Sequence, residues 1–428
     1  MELPRGRARE KPSWLSYSPQ TSKELSEVTL EDFSRLALDM GEANRVLGGG
    51  LVRGSLVLVG GDPGVGKSTL LLQLSAALAM NSGPVLYVSG EESSQQIKLR
   101  AERLGIVGQG LHVLAETDMA SILHHLGTIS PTVAIIDSIQ SVAFSDQPAG
   151  PGSIGQVREC GLAFLRWAKA SGTPTFITGH VTKEGNLAGP RTLEHMVDVV
   201  LYLEGSNLGS YRLLRGEKNR FGATHEVGVF EMRDKGLVEV LNPSEVALAS
   251  RDRNAVGSVV VPVMEGTRPL LVEIQALTTP SSLPTPRRVA NGVDMNRLLM
   301  VIAVLVKRAG VHLPGQDIIV NVAGGFRAME PAVDLGIALA LASSLRNVPL
   351  LDGMAVLGEI GLGGELRNIS QLPRRLAELQ HMGFNSCLGP ESAFQALEVP
   401  LRMNAIGART LDEGLSLAFP SQRRRSAV

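Results

Sequence analysis

A chain of 428 residues, 44% of them hydrophobic and 19% charged, is long and apolar enough for two or three folded domains and is excluded from the disordered class. A formal net charge of -1 excludes a protein that is basic throughout, so any grip on nucleic acid must come from a local patch. The two cysteines, Cys160 and Cys387, lie far apart and outside any C-x-x-C spacing; this argues against a cysteine zinc site and a disulfide framework, and both fit the role of small buried hydrophobes.

Taken in chain order, residues 1–28 are polar, with Arg5, Arg7, Arg9 and Lys11 among prolines and serines, and read as a flexible tail with no apolar signal core. Residues 29–242 alternate strand and helix. Strands are predicted at Ser55–Val59, Val85–Val88, Val133–Ile136, Thr175–Thr178 and Val199–Leu203, and helices at Thr69–Met80, Gln95–Leu104, Met119–His125 and Gln156–Ser171. That alternation predicts an α/β domain with a doubly wound, mostly parallel sheet, which Tyr211–Val240 closes with short antiparallel strands. Residues 243–255 read as a linker. Residues 256–420 read as a second, α+β domain, with strands at Ser258–Val263, Leu270–Ala276 and Ile318–Val322 and helices at Asn296–Arg308, Val333–Leu345 and Leu376–His381. Residues 421–428 carry Arg423, Arg424 and Arg425 and read as a basic tail. The longest apolar run, Leu298–Val306, is too short to span a bilayer, so the expectation is a cytoplasmic protein with no membrane partner.

The stretch that carries chemistry is Gly61, Asp62, Pro63, Gly64, Val65, Gly66, Lys67, Ser68, a G-x-x-x-x-G-K-S phosphate loop set between a predicted strand and a predicted helix. Its glycines let backbone N–H groups turn onto phosphate oxygens, and the helix N-terminus adds partial positive charge. The motif therefore calls for a nucleoside triphosphate, expected to be ATP, together with Mg2+. Lys67 would reach the β- and γ-phosphates, Ser68 would hold the metal, and Thr69 would complete the nucleotide cradle. Asp137 ends the apolar run from Val133 and would be the second metal-side group. Glu91 and Glu92 follow the strand after the phosphate-loop helix. One would activate the attacking water and the other would open the next helix, with Glu91 favoured as the base. His180 is either a γ-phosphate sensor or an ordinary loop histidine, and the Gly-, Lys- and Arg-containing segment after it, with Lys183 and Arg191, reads as a loop able to touch a phosphodiester backbone.

Between Leu208 and Gly222, the cations Arg212, Arg215, Lys218 and Arg220 face one acid, Glu217. A solvated face is the ordinary explanation of such a run. Two sharper readings stand beside it: Lys218 or Arg220 as an arginine-finger-type group reaching a neighbouring subunit's γ-phosphate, or the whole stretch as contacts to DNA phosphates.

Taken with Tyr87–Ser93, the Gly179–Gly185 run, Leu193–Asp198 and the Lys218-Asn219-Arg220-Phe221-Gly222 motif, the phosphate loop makes the chain resemble the bacterial RadA (Sms) family of DNA-repair proteins from about residue 30 to 415. The resemblance implies a RecA-like ATPase core followed by a Lon-protease-like domain. It further implies a hexameric ring that binds single-stranded and branched DNA, drives branch migration during homologous recombination and works beside a RecA-type recombinase. An ATP-gated scaffold that loads partners without translocating is the alternative. Members of the family usually begin with a four-cysteine zinc finger; the first cysteine here is Cys160, so no zinc is expected. Where Lon proteases carry a catalytic serine and lysine, the matching positions hold Asp334 and Pro373, which cannot form a nucleophile pair, so peptidase activity is not expected. Arg287, Arg288, Lys307, Arg308, Arg374 and Arg375 are then candidate phosphate contacts on a scaffold.

Overall fold

The computed structural model describes residues 22, 24–27, 35–180, 191–205, 210–397 and 402–420. They form two compact units, one running to Gly205 and resuming over Arg212–Glu239, the other made of Ser210 and Tyr211 together with the chain from Val240 onward.

In the first unit, β1 (Arg35–Leu36) and β2 (Leu51–Val52) pair antiparallel around α1 (Gly41–Leu47). A nine-stranded sheet follows. Its strands are β3 (Leu56–Gly61), β4 (Val85–Ser89), β5 (Leu111–Ala115), β6 (Val133–Asp137), β7 (Thr175–His180), β8 (Val199–Gly205), β9 (Tyr211–Asn219), β10 (Val227–Arg233) and β11 (Gly236–Glu239). They lie in the order β11-β10-β9-β8-β3-β7-β6-β4-β5. From β8 to β5 neighbouring strands are parallel, while the β8–β9 and β10–β11 pairs are antiparallel. Strand side chains alternate between faces, so the unbroken apolar run of β3 feeds two cores at once. Val57 and Val59 pack with α2 (Lys67–Asn81) and α3 (Ser94–Arg103), whereas Leu56 and Leu58 pack with α4 (Met119–Ile129) and α5 (Ile154–Ser171). Strand β5 was not anticipated, because as an edge strand it is half-exposed and its alternation is weak. A short helix, α6 (Arg191–Glu194), leads into β8.

The second unit begins where a linker was expected. Asn242 caps, and Pro243 opens, α7 (Pro243–Leu248), whose Ser244 hydroxyl is buried and accepts the Leu271 N–H at 3.1 Å. A polar, proline-containing stretch thus marks a helix start here, since proline at the first helical position lacks only a donor that would be orphaned anyway. A long hairpin of β12 (Ser258–Glu265) and β13 (Arg268–Pro280) centres a seven-stranded sheet with β14 (Arg288–Asn291), β15 (Gln316–Val322), β16 (Met354–Val356), and, past the small pair β17 (Glu359–Ile360) and β18 (Leu366–Arg367), β19 (Ser386–Pro390) and β20 (Asn404–Ala408). The order is β14-β15-β13-β12-β16-β19-β20. Helix α8 (Met295–Arg308) is amphipathic, while in α9 (Asp334–Arg346) every residue from Asp334 to Ser343 is buried. Helix α10 (Leu372–His381) packs over β12 and β13.

Candidate nucleotide site

Strand β3 runs directly into the phosphate loop, and α2 starts at Lys67. Gly61, Gly64 and Gly66 have φ of 149°, 75° and 117°, and a Cβ on Gly61 would stand 2.4 Å from the Leu203 carbonyl oxygen. The loop can close only with glycine at that point. The first turn of α2 presents its unpaired N–H groups there, with Lys67, Ser68 and Thr69 on it. The Lys67 side chain is buried, and its ammonium donates to the carbonyls of Gly61 at 2.8 Å and Asp62 at 3.0 Å. Burial lowers its pKa, against the opposing pull of Asp137, Glu91 and Asp62, so three carboxylates surround one ammonium.

Asp137 is fixed through both oxygens. Tyr87 on β4 donates to Oδ2 at 2.5 Å, and Thr178 on β7 donates to Oδ1 at 2.6 Å. Both neighbouring strands of β6 therefore supply a hydroxyl at its carboxyl end, where Ser89 pairs with Asp137. Sequence reasoning missed Tyr87 and Thr178; each strand carries a second hydroxyl, Ser89 on β4 and Thr175 on β7, so composition alone did not single out the pair that meets Asp137.

The two glutamates part company. The Glu91 carboxylate accepts from the Ser138 hydroxyl, whereas Glu92 pairs with Arg100 of α3 and its N–H bonds Ser89 Oγ at 2.9 Å. Glu91 is thus turned toward the Lys67 side and Glu92 toward a helix. The turn between them and β4 needs Gly90, since a Cβ there would stand 1.9 Å from Ser141 Oγ. Ser68 and Asp137 give oxygen donors of the kind Mg2+ prefers, beside a carboxylate cluster that already carries compensating positive charge, so the residues present fit that ion.

The expected basic patch splits. Strand β9 is antiparallel to β8, which places Arg212 opposite Gly205 and Lys218 opposite Val200. At about 3.3 Å per residue these two cations stand roughly 20 Å apart. Arg212 sits at the phosphate-loop end, its Nε donating to the Val65 carbonyl at 3.0 Å. Arg215 pairs with Glu204 at 3.5 Å. Lys218 and Arg220 lie at the opposite end of the sheet. The Lys218 ammonium donates to the carbonyls of Glu194, Val197 and His195 at 2.7, 2.8 and 3.3 Å, and partial burial lowers its pKa. Arg220 Nη1 contacts Asp198 Oδ1 at 3.3 Å. The four cations are therefore strung along the strand, since an extended chain holds positions six residues apart roughly 20 Å from each other. Lys183 and the side chains of His180 and Arg191 lie outside the described residues.

In the second unit Asp334 is fully buried. Arg297 Nη1 donates to its two oxygens at 3.0 and 2.8 Å, the Ile360 N–H donates at 3.2 Å, and burial pushes its pKa up to about 6. Pro373 lies in the first turn of α10. Arg375 is corrected as a candidate phosphate contact. Its guanidinium is buried, forms a two-pronged pair with Glu330 at 2.6 Å, and donates to the Pro262 carbonyl at 2.6 Å.

A phosphate loop on a doubly wound sheet, with a hydroxyl-braced aspartate at the end of β6 and a glutamate beyond β4, defines a P-loop ATPase with a RecA-like core, here followed by a Lon-like domain. The chain matches the family models described as AAA domain over residues 21–186 and subunit ChlI of Mg-chelatase over residues 299–393. It is 52% identical over 395 residues to DNA repair protein RadA of Halalkalibacterium halodurans, covering 92% of this chain and 86% of that relative. It is 50% identical over 403 residues to the Bacillus subtilis RadA, and 48% identical over 402 residues to that of Listeria monocytogenes, each covering 94% of this chain and 88% of the relative. The chain belongs to the RadA family. Among solved structures, a KaiC-like protein from Pyrococcus horikoshii superposes with a TM-score of 0.42 at 21% identity, covering 49% of this chain and 99% of its own.

Proposed function

We propose that this chain is a DNA-dependent ATPase of recombinational repair that assembles in rings of six, binds single-stranded and branched DNA, and drives branch migration in the cytoplasm alongside a RecA-type recombinase. The relatives' printed name, DNA repair protein, supports the pathway. The observation that carries the ring is the position of Arg220. It lies level with Leu56 at the start of β3, while the phosphate loop begins at Gly61, five residue steps or roughly 17 Å further along. Within one chain that guanidinium cannot neutralise its own γ-phosphate; in a closed ring of head-to-tail contacts it can serve the next subunit's nucleotide.

In this reading Lys67 and the N–H groups of Gly64–Thr69 bind and orient the phosphates, Glu91 takes the proton of the attacking water, and Arg220 stabilises transition-state charge from across the interface. Ser68 and Asp137 would hold Mg2+, which would supply further charge neutralisation. Tyr87 and Thr178 keep the Asp137 carboxylate in one orientation. The Lon-like unit is a scaffold without peptidase chemistry. Burial of Asp334 against Arg297, where a nucleophile would have to be accessible, supports that part. No helix among the described residues is long and apolar enough to cross a membrane.

The test is ATP hydrolysis with and without single-stranded DNA, on this chain and on Lys67→Ala. Stimulation by DNA that disappears in the variant is the expected result. Turnover indifferent to DNA would remove the motor, and strand displacement equal with ATP and a non-hydrolysable analogue would favour the ATP-gated scaffold.

A further inference from the structure

We propose that Asp198 is a positioning residue for hydrolysis in the neighbouring subunit. It holds the start of the phosphate-loop strand and Arg220 in one rigid unit, and with Lys169 it sets the charge that Arg220 delivers. The proposal rests on the in-trans reading of Arg220 above.

Asp198 is 2% exposed and stands at the entry to β8. Its backbone N–H donates to the Leu56 carbonyl at 3.0 Å, and its Oδ2 accepts the Leu56 N–H at 3.1 Å. Both polar groups of the first β3 residue are therefore tied to this one aspartate. Its carbonyl accepts the Arg220 N–H at 3.1 Å, and its Oδ1 accepts from Arg220 Nη1 at 3.3 Å. Backbone and side chain of Arg220 are thus aligned by the same residue. Oδ2 also accepts from Lys169 Nζ, at the end of α5, at 2.8 Å.

The surrounding motif holds the backbone and leaves the guanidinium outermost. Asn219 Nδ2 donates to the Leu47 carbonyl at 3.2 Å, and its Oδ1 accepts the Phe221 N–H at 2.9 Å. The Arg35 guanidinium donates to the carbonyls of Leu47 and Phe221. The Arg220 side chain remains 54% exposed. Lys218 has a different part. An ammonium has three donors, and here three carbonyls between Glu194 and Val197 take them. It braces the turn that leads into β8, one residue before Asp198, and is no second finger.

The charges make the arrangement more than a clamp. A buried carboxylate paired with Arg220 alone would cancel the charge the finger must bring. With Lys169 on the second oxygen, the trio keeps a net positive charge on its exposed side. A guanidinium has five donors, so one bond to Asp198 aims the fork without exhausting it.

The test is subunit mixing. In a mixture of Lys67→Ala and Arg220→Ala chains, an Arg220→Ala subunit has an intact phosphate loop that can sit against the wild-type Arg220 of its neighbour, and hydrolysis returns. Asp198→Asn alone is expected to lose ~100-fold in kcat, as misplacement of a catalytic group by about 1 Å can do, with binding of a fluorescent ATP analogue within about twofold of wild type, as expected when only a transition-state contact is lost. Mixed with Lys67→Ala, it should recover like Arg220→Ala. A merely structural defect would damage its own β3 and not recover. Lys169→Met, at a half-exposed position, keeps every backbone bond of Asp198 and should also lose kcat and recover on mixing; it serves where Asp198→Asn does not fold. Recovery of Arg220→Ala without recovery of the Asp198 and Lys169 variants, or wild-type activity in those variants alone, overturns the proposal. No recovery of Arg220→Ala overturns the in-trans reading, and the Asp198 proposal with it.

Discussion

Glu91 and Glu92 occupy adjacent positions past β4, and the difference between them is made by partners distant in sequence. Ser138, just past the end of β6, faces Glu91, while Arg100 on α3 draws Glu92 away. Glu91→Gln should therefore retain ATP binding and lose hydrolysis by ~10^2 to 10^4, the range for removing a general base. Glu92→Gln should stay within a few-fold, since a partly exposed pair contributes about 1 kcal/mol or less. Single-turnover hydrolysis alongside nucleotide binding separates the two, and the reverse ranking would make Glu92 the base. The phosphate loop, Asp137 and the glutamate pair were legible because each sits at a strand end with a fixed spacing. The Tyr87 and Thr178 hydroxyls were not, because a tyrosine in a valine- and leucine-rich strand reads as core until the neighbouring strand is known. The same holds for Asp198, which reads as one acid in a family motif until Leu56, Lys169 and Arg220 converge on it.

At the scale of elements, α2, α5, α8 and α9 were legible to within a few residues, α5 and α8 from an apolar stripe along one face and α2 and α9 from apolar runs too long for a strand and buried over most of their circumference. Such patterns failed where one position decides the outcome. Arg374 and Arg375 look like one basic doublet, yet a helix turns about 100° per residue, so α10 sends Arg375 inward while Arg374 reaches the Thr267 carbonyl at the surface. The buried guanidinium joins α10 to β12 through Pro262 and, through Glu330, to the N–H of Met264 at 2.7 Å. Breaking a buried pair from one side leaves the other charge uncompensated. Arg375→Ala should therefore destabilise the Lon-like unit by about 3–5 kcal/mol, read by denaturant unfolding. Replacing Arg375 and Glu330 together by methionine should cost clearly less than the single change. Equal costs would mean that lost packing, and not the stranded carboxylate, dominates. Strand β9 follows the same logic in extended form: composition showed a cluster of cations, but only the register with β8 assigned Arg212 to the phosphate loop and Arg220 to the far edge.

The described residues form separate apolar cores, two on the faces of the nine-stranded sheet and two in the Lon-like unit. Different solution variables should act on each unit. A non-hydrolysable ATP analogue with Mg2+ binds the RecA-like unit and, at a hundred times its Kd, should stabilise it by about 2.7 kcal/mol. Protons act on Asp334. Its carboxyl is raised from 3.8 to about 6 by burial, against the opposing bonds from Arg297 and Ile360. A carboxyl raised on folding binds its proton more tightly in the native state. Its contribution is therefore fully present below the unfolded value, near 3.8, and is lost as pH rises through about 6. The loss is about 3 kcal/mol across that window at 1.36 kcal/mol per pKa unit. Asp334→Asn removes this dependence, since an amide carries no proton to lose. In scanning calorimetry, the stability of wild type relative to Asp334→Asn should fall as pH rises through about 6. That change should fall in the transition the ATP analogue leaves in place. A flat difference between pH 4 and 7 would mean that Arg297 keeps the carboxylate ionised throughout, and a single transition shifted by the analogue would mean that the two units unfold as one.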